Sequence, residues 1–431
     1  MDVRQSFAAF LQKTLEKNPA AARQILAAGY RAFLAYGKVH PDKRLSPAKR
    51  YASDEVMKCI IRALTKPEEC CMASLFVPGE LLAAAGVNPY SVEALSCYLA
   101  GTSLEKVFLD VTSREGFPDT MCSFHRVFLG ASDSELVRMP PFMVYTNLAC
   151  DGNMMTFPYL KEKREIPAFY IEVPWEKNED AVQYVRGQLV ELKAFLCDLT
   201  KKTIEDEALA ELVAGSNRAS FDYMRALSLQ KTHTLPSMMT AEMYGIFMSR
   251  IFSGTKTAET YAKMYLQDME QAPASDAIRI NWVHMFPFMQ PSLRQWLNFS
   301  PDICLAANDL SADGFRIVDE NDPFRGMAQR MVYSIFNGSA TDRADYNVAL
   351  AKKTGADGVV IFSHWGCRVT IGAAGIIRDA LEDAKIPAII LDGDGCNPGN
   401  TPDGQILTRT QAFVEMLQQK REHRNCSVGS E

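Results

Sequence analysis

Residues 142–174, FMVYTNLACDGNMMTFPYLKEKREIPAFYIEVP, contain two short apolar runs on either side of a helix-like segment. The runs FMVYTNLA and AFYIEVP are rich in β-branched and aromatic residues, which favours strands. The segment after CDGNMM is predicted to be a helix. A strand, a helix and a second strand in this order are typical of a parallel sheet.

The same alternation recurs on both sides of this stretch. Upstream, MASLFV is followed by PGELLAAAG; downstream, the strand candidates are IRINWVHM, DICLAAN, GVVIFS and AIILDG. We therefore predict an α/β fold with two Rossmann-like, doubly wound domains, whose parallel sheets are joined by helices. The predicted segments are an N-terminal helical segment (1–65), a first α/β domain (66–177), a helical connector (178–270) and a second α/β domain (271–431).

Composition excludes several classes of function. The chain of 431 residues has 46 Lys and Arg against 52 Asp and Glu, and no basic block that would neutralise a phosphate backbone. We therefore expect no nucleic-acid partner. No apolar run is long enough to span a membrane, and the N-terminus lacks a secretory signal, so we expect a cytoplasmic protein that is not bound to membranes. Its 11 cysteines should then be thiols.

Several common catalytic motifs are absent from the sequence. It has no G-x-x-x-x-G-K-[ST] loop, no G-x-G-x-x-G opening a helix, no H-E-x-x-H and no G-x-S-x-G. The glycines of DGDG, residues 392–395, come before a proline and are interpreted as a plain turn. We therefore predict that this chain binds no nucleotide itself.

Three cysteines lie where ligands gather in open α/β sheets. Cys150 ends the run FMVYTNLAC, Cys367 follows GVVIFSHWG, and Cys122 comes before a predicted helix start at Phe124. The exposed amides at a helix N-terminus favour the thiolate, which is the form that binds metal. Three thiolates with one open position would suit an iron–sulfur cluster with a reactive iron. The alternative, buried inert thiols, is left open by these positions alone.

Five motifs in register resemble one known family. They are FVPGELLAAAGVNP, PDTMCSFHRVFLGA, TNLACDGN, HWGCR and LTRTQAFVEML, and they span residues 70–420. Together they are similar to the 2-hydroxyacyl-CoA dehydratase family, which also contains benzoyl-CoA reductase subunits and double-cubane cluster proteins. The chain's length resembles that of the larger, substrate-binding subunit.

The resemblance implies a cofactor, partners and a reaction. One [4Fe-4S] cluster per chain would be held by Cys122, Cys150 and Cys367. A homologous second subunit and an ATP-hydrolysing iron–sulfur activator would be the protein partners. The substrate would be an (R)-2-hydroxyacyl-CoA, which loses water through a ketyl radical to give a 2-enoyl-CoA. A flavin is an additional cofactor that the sequence neither requires nor excludes.

The resemblance also implies roles for individual side chains. Ser74 would hydrogen-bond the thioester carbonyl and Glu93 would act as an acid or base; the alternatives are a strand or turn hydroxyl and a helix N-terminal carboxylate. His125 and His364 are interpreted as outer residues beside the cysteines. Arg126 and Arg368 are candidates for pairing with the cluster or with CoA phosphates. The remaining cysteines outside the alternatives below are predicted to be inert: Cys59, Cys97, Cys197, Cys304 and Cys426.

Two other functions are kept as alternatives. An ATP-driven reductase of the same superfamily, with a double-cubane cluster or a benzoyl-CoA reductase-like reaction, would need further thiolates, for which Cys70, Cys71 and Cys396 are available. A cysteine-rich α/β binding protein without metal is the non-enzymatic alternative. The iron content of the purified protein distinguishes all three.

Overall fold

The fold is built on two separate parallel sheets. The computed structural model describes residues 3–428, with side chains described from 5 to 423. Each sheet has four strands, and all strand pairs within the two sheets are parallel. The strands are β1 (Cys70–Ala73), β2 (Asn88–Tyr90), β3 (Met143–Thr146), β4 (Ala168–Ile171), β5 (Ile278–Val283), β6 (Ile303–Asn308), β7 (Gly358–His364) and β8 (Ala388–Gly393).

Helices precede, separate and follow the strands. Those up to the last strand of the first sheet are α1 (Val3–Lys17), α2 (Pro19–Val39), α3 (Pro47–Thr65), α4 (Gly79–Ala84), α5 (Val92–Gly101), α6 (Glu105–Arg114), α7 (Ser123–Asp133) and α8 (Asp151–Arg164). Those between the sheets are α9 (Glu179–Thr200), α10 (Asp206–Leu229), α11 (Met239–Arg250) and α12 (Lys256–Gln271). Those of the second sheet are α13 (Pro291–Leu297), α14 (Asp309–Gly314), α15 (Pro323–Val332), α16 (Ala340–Thr354), α17 (Arg368–Asp383) and α18 (Gln405–Val428).

The two sheets have the same strand order. The first runs β2-β1-β3-β4 and the second β6-β5-β7-β8. In each sheet the chain moves from the first strand to one side and then returns to the other, so the order reverses between β1 and β3 and between β5 and β7. Ligands of open α/β sheets bind beyond the carboxyl ends of the strands at such a reversal. The predicted α/β class, with parallel sheets and an N-terminal helical segment, is confirmed.

The burial of the strands explains why their sequences are apolar. Every residue of β5, β6 and β7 is buried, as expected for strands covered by helices on both faces. In contrast, β4 and β8, which form the same edge of the two sheets, leave several side chains half-buried. The limits of the domains stay a prediction, although both sheets lie inside the segments assigned to α/β domains.

The start of the first sheet differs from the sequence prediction. The strand predicted from Met72 begins at Cys70 and ends at Ala73, so the vicinal cysteines are buried inside β1. Strand β2, a three-residue edge strand that contains Pro89, was not predicted from the sequence. Proline cannot donate a ladder hydrogen bond, but an edge strand tolerates it.

A buried ion pair joins helices from three parts of the chain. Glu80 on α4 is fully buried, and its Oε1 accepts hydrogen bonds from Arg330 Nη1 on α15 at 2.6 Å and Ser216 Oγ on α10 at 2.5 Å. Ser253 Oγ donates to the same oxygen at 3.0 Å. Removing one partner of such a pair leaves an uncompensated buried charge. The pair thereby fixes α4, just after β1, against the connector and the second sheet.

Among the described helices, none combines the length and the apolar character needed to cross a bilayer.

Candidate metal centre between the two sheets

Each of the three candidate cysteines stands at the N-cap of a helix. Cys122 precedes α7, Cys150 precedes α8 and Cys367 precedes α17. A residue such as serine at this position normally caps the helix through its side chain, but within the described residues none of the three thiols makes a capping hydrogen bond. Cys367 Sγ does donate to Thr370 Oγ1, at 3.6 Å in the first turn of α17.

The two sheets direct these helix ends at one cavity. Cys150 follows β3 and Cys367 follows β7, which are equivalent strands at the two reversal points. The cavity of about 70 Å³ is lined by all three cysteines. Residues directly after β1 and β5 also line it, including Leu75, Phe76, His284 and Met285.

The thiols are close enough to influence one another electrostatically. Burial and the charge of Cys367 raise the pKa of the Cys122 thiol. Burial, then the charges of Glu93, Cys122 and Cys367, raise the pKa of Cys150 well above its usual value. Several negative charges in one apolar cavity are unfavourable unless a cation joins them. The donor set therefore fits a positively charged metal group, which releases the thiol protons when it binds.

His364, the last residue of β7 in the second sheet, contacts the sulfur of Cys122. Its Nδ1 accepts a hydrogen bond from the Gly395 amide at 3.1 Å, and burial lowers its pKa, which favours the neutral ring. The proton of the neutral ring therefore resides on Nε2, which lies 3.3 Å from Cys122 Sγ. His364 thus donates to a sulfur atom, the interaction that stabilises a thiolate.

His125 has the corresponding place beside Cys150. Its Nε2 lies 3.3 Å from Cys150 Sγ and its Nδ1 lies 2.8 Å from Thr156 Oγ1. Burial lowers the pKa of His125 to about 3, so the ring is neutral at physiological pH. Gly152 leaves room for the ring, because a Cβ there would come within 2.6 Å of it. Each histidine thus contacts a cysteine other than its near neighbour in the sequence.

A single metal ion is a poorer match for the three sulfur atoms. Among the described residues, Glu93, His125 and Cys150 are the one group of three whose ligand atoms all lie within 4.8 Å of one another. Bonds of about 2.3 Å in a tetrahedral zinc site would place sulfurs roughly 3.8 Å apart. The three cysteines instead stand around a cavity, which suits a larger group.

Comparison with known proteins identifies the family of this chain. A family model described as "2-hydroxyglutaryl-CoA dehydratase, D-component" matches residues 74–417. The chain belongs to this dehydratase family. The resemblance noted in the sequence is thereby confirmed, and the match covers all three candidate cysteines and every strand except β1, which ends one residue before it.

Three named relatives in this dehydratase family are all alpha subunits. The chain is 21% identical to the (R)-phenyllactyl-CoA dehydratase alpha subunit of Clostridium sporogenes, over 80% of this chain and 88% of the relative. It is 20% identical to the lactoyl-CoA dehydratase subunit alpha of Anaerotignum propionicum, over 83% and 92%. It is also 20% identical to the (R)-2-hydroxyisocaproyl-CoA dehydratase alpha subunit of Clostridioides difficile, over 75% and 84%.

Of the two predicted catalytic residues, Glu93 lines the cavity and Ser74 does not. Glu93 is in the first turn of α5 and lines the cavity. Its Oε1 lies 3.9 Å from His125 Nε2, and its buried Oε2 has no hydrogen-bond partner among the described residues. Ser74 follows β1 directly; its buried Oγ is also unpartnered there, but the cavity wall begins with the next residue, Leu75.

The two arginine candidates have different surroundings. Arg126 is buried and donates to Ser113 Oγ at 2.7 Å, with Asp119 Oδ1 also at 2.7 Å. This environment holds α6 and α7 together and leaves Arg126 poorly placed for CoA phosphates. Arg368 is exposed beside Cys367, where its Nε donates to Asp151 Oδ2 at 2.7 Å. The Arg368 pair connects the N-termini of α17 and α8 at the edge of the cavity.

The other described cysteines are not part of the cavity wall. Cys70 and Cys71 are inside β1, and Cys396 is buried in the turn after β8, where its amide donates to Asp394 Oδ1 at 2.9 Å. None of the three lines the cavity. The same holds for Cys59, Cys97, Cys197 and Cys304, whereas the side chain of Cys426 lies outside the described residues.

Sequence reasoning missed His284. The run IRINWVHM placed it within a strand, but β5 ends at Val283 and His284 lines the cavity. Its position after β5 corresponds to that of Ser74 after β1. The signal was present in the sequence, since a polar residue directly follows a buried strand at the predicted reversal point.

Proposed function

We propose that this chain is the iron–sulfur subunit of a 2-hydroxyacyl-CoA dehydratase, which removes water from an (R)-2-hydroxyacyl-CoA to give a 2-enoyl-CoA. Cys122, Cys150 and Cys367 would hold one [4Fe-4S] cluster. The observation that carries the proposal is that three N-cap thiols from two domains line one cavity in a member of this family. The named relatives supply the substrate class, because each is a dehydratase subunit that acts on a 2-hydroxyacyl-CoA.

The surroundings of the thiols support a cluster with one open corner. Three thiolates satisfy three irons of a cubane and leave the fourth for another ligand. His364 donates to Cys122 and His125 contacts Cys150, so two of the ligands have the outer partners that orient metal-bound side chains. When bound, the cluster would supply one electron at low potential and a Lewis acid for a substrate oxygen.

The chain's own groups would manage the protons of the elimination. The β-proton of the thioester is barely acidic, but one-electron reduction of the carbonyl gives a ketyl radical anion that expels the 2-hydroxyl group and acidifies that proton. Burial raises the pKa of Glu93, which favours the protonated carboxyl and lets it donate to the departing hydroxide. Ser74 would hydrogen-bond the thioester carbonyl from the end of β1. Water leaves, and the electron returns after the β-proton is removed.

Partners complete the proposed enzyme. A homologous second subunit would form a heterodimer with this chain, as the alpha-subunit names of the relatives imply for those proteins. A separate ATP-dependent iron–sulfur activator would deliver the electron, so nucleotide binding is assigned to that partner. The reaction would belong to anaerobic fermentation in the cytoplasm, with a flavin as an optional additional cofactor.

One anaerobic experiment tests the proposal. The chain is purified with its second subunit, analysed for iron and acid-labile sulfide, and assayed with activator, ATP and a panel of thioesters that includes phenyllactyl-, lactoyl- and 2-hydroxyisocaproyl-CoA. We expect about four irons on this chain and formation of the matching enoyl-CoA. An iron-free, fully stable protein that dehydrates none of them would refute the proposal.

The reductase alternative has a distinct signature in the same experiment. A double-cubane protein would carry about eight irons and would need more thiolates than the three at the cavity. Since Cys70, Cys71 and Cys396 do not line the cavity, the positions of the described cysteines favour a single cubane.

A further inference from the structure

His284 stands out among the cavity residues because its ring nitrogens have no partners. Both Nδ1 and Nε2 are buried, and neither has a hydrogen-bond partner among the described residues. In contrast, all four ring nitrogens of His125 and His364 are paired, with Thr156, Cys150, Gly395 and Cys122. Buried polar atoms are normally hydrogen-bonded, so an unpaired imidazole that lines a cavity indicates a missing partner.

The backbone holds this imidazole in a strained position. The φ angle of His284 is 77°, in the left-handed region that non-glycine residues rarely adopt. Two hydrogen bonds hold it there: the His284 amide donates to Asp309 Oδ1 at 2.8 Å, and Asn308 Nδ2 donates to the His284 carbonyl at 2.7 Å. Strain of this kind persists only where the surroundings fix it, and it concentrates at functional sites.

Asp309, which holds His284 in this conformation, is itself held by an ion pair. Asp309 is fully buried and pairs with Arg343, whose Nη2 lies 2.8 Å from Asp309 Oδ2. Arg343 Nη1 also donates to Thr370 Oγ1 in the first turn of α17, the helix that begins after Cys367. The same network therefore positions both His284 and the helix that carries a candidate ligand.

We propose that His284 is the catalytic base that removes the β-proton of the substrate. This assignment rests on the proposed dehydratase function. The elimination needs two proton sites; Glu93 comes from the first domain, and His284 comes from the second and has a free lone pair. After the hydroxide has left, the Cβ–H bond breaks and its electron pair forms the Cα–Cβ double bond, while the proton binds the imidazole. Burial and the charge of Arg343 lower the pKa of His284 well below its usual value, so the imidazolium does not persist. Its proton returns to Glu93, which had neutralised the hydroxide, so both groups are restored and one water is produced.

The test uses the complete complex with its activator and a substrate of the wild-type enzyme. His284→Asn is the main variant because asparagine tolerates a left-handed φ but cannot accept a proton at neutral pH. We expect kcat to fall about 10²- to 10⁴-fold with little change in KM. A larger isotope effect with β-deuterated substrate is also expected, because proton removal becomes rate-limiting. Iron content, melting temperature and the EPR spectrum of the reduced protein should match those of the wild type.

Two further variants make the result specific to a base. His284→Gly leaves space at the position, so added imidazole should restore part of the lost rate. His40→Asn, at an exposed histidine remote from the cavity wall, is the matched control and should behave as wild type.

Each negative result would lead to a different conclusion. Unchanged kcat and isotope effect in His284→Asn, with an active wild type, would overturn the assignment alone. A changed EPR spectrum or iron content would make His284 a cluster-shell residue and also overturn it. A wild-type complex that dehydrates no thioester would overturn the proposed function, and the assignment with it.

Discussion

Gly366 offers a test of the metal centre that leaves every candidate ligand in place. Its φ is 79°, and a Cβ added there would lie 2.6 Å from the Cys122 amide nitrogen and 2.8 Å from Cys122 Cα. A left-handed conformation costs an alanine about 1–2 kcal/mol. The contacts are with backbone atoms, so no side-chain rotation relieves them. Non-bonded carbon atoms pack about 3.5–4.0 Å apart, so in Gly366→Ala the loop must retreat from Cys122 by roughly 1 Å.

That displacement exceeds what a metal centre tolerates, because metal–ligand distances vary by only about 0.2 Å. We therefore expect Gly366→Ala to lose most of its iron and sulfide after anaerobic reconstitution, and to melt at a lower temperature. Gly372→Ala is the control, since a Cβ at this α17 glycine meets nothing within 4 Å; it should keep its iron and gain about 0.5–1 kcal/mol of stability. Wild-type iron content in Gly366→Ala would refute the convergence of Cys122 and Cys367 on one metal group.

Three other substitutions, the first with a matched control, test separate parts of the structure. Cys150→Ser should lose iron and activity, whereas Cys197→Ser on α9 should keep both; equal iron in the two proteins would count against the ligand assignment. His364→Ala should weaken iron retention about 10- to 100-fold in chelator competition, and unchanged retention would show that its hydrogen bond to sulfur is dispensable. Glu80→Ala should lower the free energy of unfolding by about 3–5 kcal/mol, measured by urea denaturation, and a loss below 1 kcal/mol would contradict the importance of its buried ion pair.

Much of the fold follows from local sequence patterns. Buried parallel strands are continuous apolar runs, so β3 to β8 were recognisable from strings such as GVVIFS and AIILDG. Strand β2 was not, because three residues that include Pro89 carry too little periodicity. The strand order could not be predicted from the sequence either, because it depends on which strands pair across long connections.

The candidate site could be predicted only in part. The rule that ligands lie beyond the carboxyl ends of strands selected Cys150 and Cys367, and a helix start selected Cys122. The rule says nothing of distances, so the partners of His125 and His364 could not be foreseen. Each histidine was considered beside the cysteine three residues away, but the fold pairs each with a different one. His284 was overlooked because the run IRINWVHM was assigned to one strand as a whole, whereas β5 ends at Val283 and the left-handed φ of His284 turns it out of the strand.

The contacts around Cys122 show that the candidate centre depends on residues from both sheets and the loops that follow them. Cys122 lies between β2 and β3 of the first sheet in the sequence, yet His364 of β7 contacts its sulfur, and the adjacent Ser123 Oγ donates to Asp394 Oδ1 at 2.5 Å. Trp365 Nε1 also donates to the Asp119 carbonyl at 3.2 Å. The N-terminus of α7 is thus held by loops that follow β7 and β8. Separation of the two sheets would take the candidate ligand Cys367 away from Cys122 and Cys150, and would also remove the His364 hydrogen bond to Cys122. Metal binding and the packing between the two halves should therefore stabilise each other.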